Sequence, residues 1–290
     1  MRRFISSKWD SHFLERSPML APLATCAGTL ANCSEWPSHE VLQGIISGRG
    51  VRNQCGIPIR LVEPESNAGE SYEERIYRHG ELPVRSGDWH DLFNVLAWLA
   101  YPRAKAALNE RHFTAALEER DCATGSAAVK VGANRGRVRD ALTLFDESGA
   151  IIASRAPELI DNLRRFRWKQ VFWKSREHVL EASRFYVFGH ACFEKALDPY
   201  VGMTAHALFV IVSVDFLAGT LAQQIALLDP LVAARVRNSE ELTTPRMLVP
   251  LPLLGIPGWW PANEQESFYD DVSYFRPERT SRAADDPQRR

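Results

Sequence analysis

Between Gly87 and His112 the chain reads GDWHDLFNVLAWLAYPRAKAALNERH, and no other stretch restricts the fold so strongly. Trp89, Leu92, Phe93, Val95, Leu96, Trp98 and Leu99 point in nearly every direction around a helix axis, and a helix that is apolar all round has to be buried. Ser86 or Asp88 supplies a cap, and Asp91 falls in the first turn, where a carboxylate faces the unsatisfied N–H groups. His90 and Asn94, one turn apart, share a face with Asp91 beside them, so three polar groups enter the interior together. There they must find partners. The set reads either as a structural network, with Asp91 as a cap, or as the core of a site. Tyr101-Pro102 then interrupts the helix, because proline lacks an N–H and disfavours helical geometry in the residue before it. A second helix is expected from Pro102, fading after Arg120.

With 290 residues, 45% of them hydrophobic, the chain can bury a full core. The expectation is a single globular domain over residues 1–279, followed by a tail at 280–290 that lacks apolar residues and is disordered. Lys plus Arg is 35 and Asp plus Glu is 36, a net charge of -1 that provides no general field for nucleic acid or an anionic membrane. The five cysteines are odd in number and scattered, which argues against a disulfide framework or a zinc ribbon and fits a reducing cytoplasm. Ala205 to Leu228 is the most apolar later stretch. His206, Asp215, Gln223 and Gln224 break it below the ~20 residues of a membrane span, so it reads as a core helix in a soluble protein.

The remaining pattern is mixed. Ile57 to Val62 is a candidate strand, and SYEERIYRH from Ser71 to His79 begins like a capping box and ends at Gly80. Cys122 to Arg137 is small and polar and reads as a loop. Ala141 to Phe145, a turn at Asp146-Glu147-Ser148-Gly149, and Ala150 to Ala153 read as a β-hairpin; the turn accounts for the two acids without any chemistry. Pro157 to Ser183 is helical, with Trp168 and Trp173 among Arg164, Arg165, Arg167, Lys169, Lys174 and Arg176. His190 and Glu194 sit one turn apart on the next apolar helix, ended by Asp198-Pro199, and His206 follows. Pro245 to Pro261, PRMLVPLPLLGIPGWWP, has too many prolines for a helix or a central strand and is expected to run extended over the body. The fold class is therefore mainly α (α+β), a helical core with a small hairpin and an extended Pro/Trp-rich C-terminal segment.

Seven segments together resemble a bacterial family of unknown function, DUF3025. They are YEERI from Tyr72, GELPV from Gly80, WHDLFNVLAWLAYPRAKAAL from Trp89, RDALTLFDESG from Arg139, FGHACFEK from Phe188, TAHAL from Thr204 and PLLGIPGWW from Pro252. The likeness covers nearly the whole chain except the tail and the small-residue loop, and it implies no particular activity.

Two functions follow from the residues. The first is a metal-assisted hydrolase, with a phosphodiesterase as one form. Histidines and carboxylates inside apolar helices supply both ligands for a divalent ion and a base for its water. In this reading His90, Asp91 and Asn94 form the catalytic group, with Asp91 orienting one histidine. His190, Glu194 and His206 hold the metal, and Arg139, Asp140, Lys195 and Trp173 contribute binding contacts. The spacing matches neither HExxH nor a di-iron bundle. The second is a non-enzymatic binding or scaffold protein whose basic aromatic helix, Arg164 to Arg176, meets an anionic partner; nucleic acid fits its chemistry, against the weight of a near-neutral chain.

Overall fold

The structure, a computed structural model, describes residues 8–64, 69–124 and 136–277. Its helices are α1 (Ala24–Ala27), α2 (His39–Gly48), α3 (Tyr72–His79), α4 (Trp89–Ala100), α5 (Pro102–Thr124), α6 (Arg137–Ser148), α7 (Pro157–Arg164), α8 (Arg176–Ala182), α9 (His190–Lys195), α10 (Val214–Ala218) and α11 (Leu221–Arg237). The strands are β1 (Arg60–Val62), β2 (Glu81–Pro83), β3 (Gly149–Ser154), β4 (Ser183–Val187), β5 (Thr204–Ile211) and β6 (Val249–Pro252). Helix predominates, as the sequence predicts.

Local chemistry sets several boundaries where it was expected to. Ser71 caps α3 by accepting from the Glu74 amide, and Gly80 stops the helix in a left-handed conformation at φ 68°. That glycine is required twice over, since a Cβ there would lie 2.4 Å from the Pro58 carbonyl oxygen. Asp88 caps α4, and each of the seven apolar residues named on that helix is buried. Tyr101-Pro102 separates α4 from α5, whose first amides, Arg103 and Ala104, are satisfied by the buried carboxylate of Asp229 at 3.0 and 2.8 Å. α5 continues to Thr124, beyond the expected fade at Arg120; residues 125–135 of the small-residue stretch, and the tail at 280–290, lie outside the described residues.

Three expectations about the elements are corrected. The hairpin at 139–154 is instead the helix α6 followed by β3. Val138, Ala141, Leu142 and Phe145 fall at i, i+3, i+4 and i+7, a helical stripe that packs on the core, and the supposed turn acids Asp146 and Glu147 occupy the last helical turn. The core helix expected at Ala205–Leu228 is instead β5, then α10 and α11. The four-stranded sheet runs β4-β3-β5-β6, with β3 parallel to β5 and antiparallel to β4, and β6 antiparallel to β5. All of β3 and most of β5 are buried, and a strand covered on both faces reads as a continuous apolar run, indistinguishable by period from a buried helix. Asp215 sits exposed in the first turn of α10. Among the described residues no helix is long and apolar enough to cross a membrane.

The expected basic aromatic helix is also broken, into α7, a π-type turn at Gln170–Lys174, and α8, with Phe166 at φ 56° between them. Trp168 is buried and donates to the Arg276 carbonyl, and Trp173 packs on Tyr269. Lys169 pairs with Glu266 and Asp270, and Arg176 with Glu264. Trp168, Trp173, Lys169 and Arg176 thus hold down the chain's own acidic C-terminal segment, whereas Arg164 pairs with Asp161 and Arg167 with Asn162.

The stretch at 245–261 is extended only in part: it is edge strand β6 flanked by 3-10 turns at Pro245–Met247 and Leu253–Gly255, and its Ile-Trp end docks on the body. Ile256 is buried, Trp259 and Trp260 are partly buried, and the wholly buried Asn263 donates to the carbonyls of Leu254 and Ile256. Because Trp260 keeps part of its ring in water, Trp260→Ala is expected to cost about 1–2 kcal/mol, short of the roughly 1.5–3 kcal/mol of a fully buried side chain. Urea unfolding of the purified variant measures it.

Candidate metal centre

α4 packs on α9, and α6 packs on α9 and α5, so three helices bring His90, Glu147 and His190 together. Gly189 makes this possible. A Cβ at that position would lie 2.4 Å from the amide nitrogens of Ser148 and Gly149 and 2.5 Å from the carbonyl carbon of Glu147, so only glycine lets the start of α9 approach the end of α6 so closely.

The His90 and His190 rings face each other through their Nε2 atoms at 3.1 Å. Glu147 completes the group, with Oε1 at 3.6 Å from His190 Nε2 and Oε2 at 4.0 Å from His90 Nε2. Among the described residues, these three have donor atoms close enough to hold one metal ion. The far side of each ring meets acceptors. His90 Nδ1 donates to Glu194 Oε2 at 3.1 Å, and His190 Nδ1, a buried atom with no hydrogen-bond partner, faces Asp146 Oδ2 at 3.6 Å. A carboxylate accepts and cannot donate, so His90 carries a proton on Nδ1, and the nearby Asp146 carboxylate favours a proton on His190 Nδ1 as well. At 3.1 Å the two Nε2 atoms need a positive centre between them, either a metal ion or, in the metal-free protein, the second proton of His90.

A polar chain continues beneath the site. Lys105 Nζ, almost wholly buried, donates to Asp146 Oδ1 at 2.5 Å and to Asn94 Oδ1 at 2.9 Å. Asn94 Nδ2 in turn donates to the Tyr72 hydroxyl at 2.7 Å. Toward solvent the centre is open, since the His90 side chain is 32% exposed and that of Glu147 41%.

The electrostatics differ across the pair. The hydrogen bond to Glu194, reinforced by the fields of Glu147 and Asp91, raises the His90 pKa against the opposing effect of burial. Burial pushes the His190 pKa down to about 4. Burial raises the Glu147 pKa, whereas the His90 hydrogen bond lowers that of Glu194. Burial presses the Asp146 carboxyl upward, but Lys105 and His190 together hold it below its ordinary range. In the metal-free protein a raised histidine pKa stabilises the fold fully below 6.5 and loses that contribution as pH climbs through the raised value. A lowered glutamate pKa stabilises above 4.5 and fails as pH falls through the lowered value. The stability lost in Glu194→Gln should therefore be greatest between pH 4.5 and 6.5 and shrink above that window. Unfolding of both proteins at pH 5.5 and pH 9, in the presence of a chelator, checks the sign.

The other residues singled out from the sequence fall elsewhere. Asp91 does not orient a histidine; it is held by Arg85, whose Nε and Nη2 donate to it at 2.8 and 2.9 Å. Glu194 contacts His90 from behind, and His206 lies on β5 with Nδ1 2.9 Å from Ser148 Oγ, one residue beyond Glu147. Arg139 pairs with Glu119, Asp140 lies exposed in the first turn of α6, and Lys195 is exposed at the end of α9. Trp173 belongs to the C-terminal packing. The member of this group missed from the sequence is Glu147, assigned there to a turn. The helical stripe beginning at Val138 is the signal that places it at a helix end.

A family model described as "Protein of unknown function (DUF3025)" matches residues 59–279. The chain belongs to this family. Every member of the His90, Glu147 and His190 group, with Glu194, Asp146 and Lys105 behind it, lies inside the DUF3025 region. No curated protein and no solved structure matches the chain.

Proposed function

We propose that this DUF3025 protein is a metal-dependent hydrolase, a phosphodiesterase being one form, with its divalent ion held by His90 Nε2, His190 Nε2 and Glu147. The observation that carries the reading is the 3.1 Å approach of two imidazole Nε2 atoms, each backed by a carboxylate. Two imidazole nitrogens this close need a cation between them, a metal ion when one is bound and a proton held by His90 when none is. With metal–nitrogen bonds of about 2.0–2.1 Å, a tetrahedral ion places two imidazole nitrogens roughly 3.3 Å apart. The existing separation needs little adjustment. A carboxylate on the distal nitrogen is also the usual backing of a metal-bound histidine, fixing its tautomer and raising its basicity.

Two histidines and one glutamate form a ligand set known from zinc hydrolases, which leaves the remaining position for water or substrate. A divalent ion supplies acidity to that water and polarises the bond to be cleaved. The chain's residues do the rest: His90 and His190 offer neutral nitrogen, Glu147 offers charge, and the exposed side of His90 and Glu147 admits substrate from solvent. The test is elemental analysis of protein purified without chelator, followed by assays on bis-p-nitrophenyl phosphate and p-nitrophenyl esters with zinc, manganese or cobalt added. One equivalent of metal and turnover lost in Glu147→Gln are the expected results. Protein that takes up none of the three ions overturns the reading.

A further inference from the structure

Lys105 is an unusual side chain for the position it holds. Its side chain is 4% exposed, it comes from α5, which supplies none of the three ligands, and an apolar residue of similar volume would avoid the cost of burying a charge. Its contacts suggest what that cost obtains. One hydrogen bond reaches Asn94, which lies exactly one helical turn beyond His90 on α4. The other reaches Asp146, the residue beside Glu147 at the end of α6. The ammonium also lies 5.8 Å from the centroid of the Trp98 ring, also on α4. A single buried cation thus ties the helix that carries one ligand to the helix that carries another, next to each.

From this placement, and resting on the metal reading above, we infer that Lys105 is a positioning residue that sets the spacing of His90 and Glu147 by bracing α4 against α6. Asn94, which the sequence reading placed in the catalytic group, is the α4 end of that brace. It touches none of the three ligand groups in the contacts described and acts through Lys105. A wholly structural role for the lysine would support the fold without regard to the ligands. A brace does more, because donor atoms a few tenths of an ångström out of place bind an ion poorly.

The experiment is titration of Co2+ into chelator-treated wild type, Lys105→Met and the double variant Lys105→Met with Asp146→Asn, with visible spectra and thermal melts on the same samples. The double variant removes both buried charges and keeps the side-chain volumes, so the fold has a neutral replacement even where Lys105→Met alone unfolds, and Asp146→Asn alone, titrated beside it, separates the loss of the carboxylate behind His190 from the loss of the brace. Co2+ affinity is expected to fall about 10–100-fold in each folded variant, the range for loss of a group that supports a ligand from behind. The intensity of the Co2+ visible bands should change as well, since it reports the ion's geometry and not global stability. Wild type that binds beside folded variants that bind equally well, with unchanged spectra, overturns this inference alone. Wild type that takes up no Co2+ overturns the metal reading and this inference with it.

Discussion

His190→Ala should release the metal, while His206→Ala should retain it. Loss of a group behind a ligand already costs about 10–100-fold in affinity, so loss of a ligand itself is expected to exceed a hundredfold. His190 is also the more buried of the two histidines in the site, with burial holding its pKa at about 4, so it meets an ion as the neutral base. His206 has its Nδ1 beside Ser148 Oγ and belongs to β5, outside the group whose donor atoms converge. Metal content by elemental analysis after dialysis, on both variants and the wild type, measures the contrast. Equal retention in His190→Ala and wild type would move the site elsewhere.

Gly189→Ala is expected to damage fold and site together. The added methyl would meet three backbone atoms at 2.4–2.5 Å, and backbone cannot swing aside as the end of a flexible side chain can. Overpacking of a tight interior costs typically 1–3 kcal/mol, and a clash against backbone on this scale belongs at or above the upper end. A loss of ~3 kcal/mol lowers the melting temperature of a chain this size by roughly 6–12 °C. The only relief is to move α9 away from α6, which separates His190 from Glu147, so metal affinity should fall even at temperatures where the variant is folded. Calorimetric melts and Co2+ titration at low temperature read the two effects separately. An alanine variant with wild-type melting and affinity would show that the α6–α9 approach is looser than described.

The sequence alone determined those features whose physics is local. Ser71, Asp88, Gly80 and Tyr101-Pro102 set helix ends through side-chain oxygens, a left-handed glycine and a missing N–H, and each acts within a few residues of itself. The all-round apolar character of α4 required burial whatever surrounded it, which made His90 and Asn94 conspicuous before any partner was known. His190 and Glu194 were conspicuous for the same reason, and His90 does meet both, at 3.1 Å each. The C-terminal prolines likewise excluded a long α-helix by themselves, leaving an edge strand and short 3-10 turns.

The tertiary structure decided what depends on distant partners. LFVI in β5 suits a buried helix or a buried strand equally, and its parallel pairing with β3, more than fifty positions earlier, made it a strand. Asp146 and Glu147 have the composition of a turn, and only the packing of Val138, Ala141, Leu142 and Phe145 on the core drew them into a helix end. The convergence of Glu147, and not Glu194, on the facing nitrogens of His90 and His190 is of this kind too. Both carboxylates lie near His90, but the fold presents one to the nitrogen that faces His190 and the other to the nitrogen that faces away. A ring has two nitrogens separated by only a couple of ångströms, and which one a carboxylate reaches is set by how helices pack, a quantity that no spacing along the chain encodes.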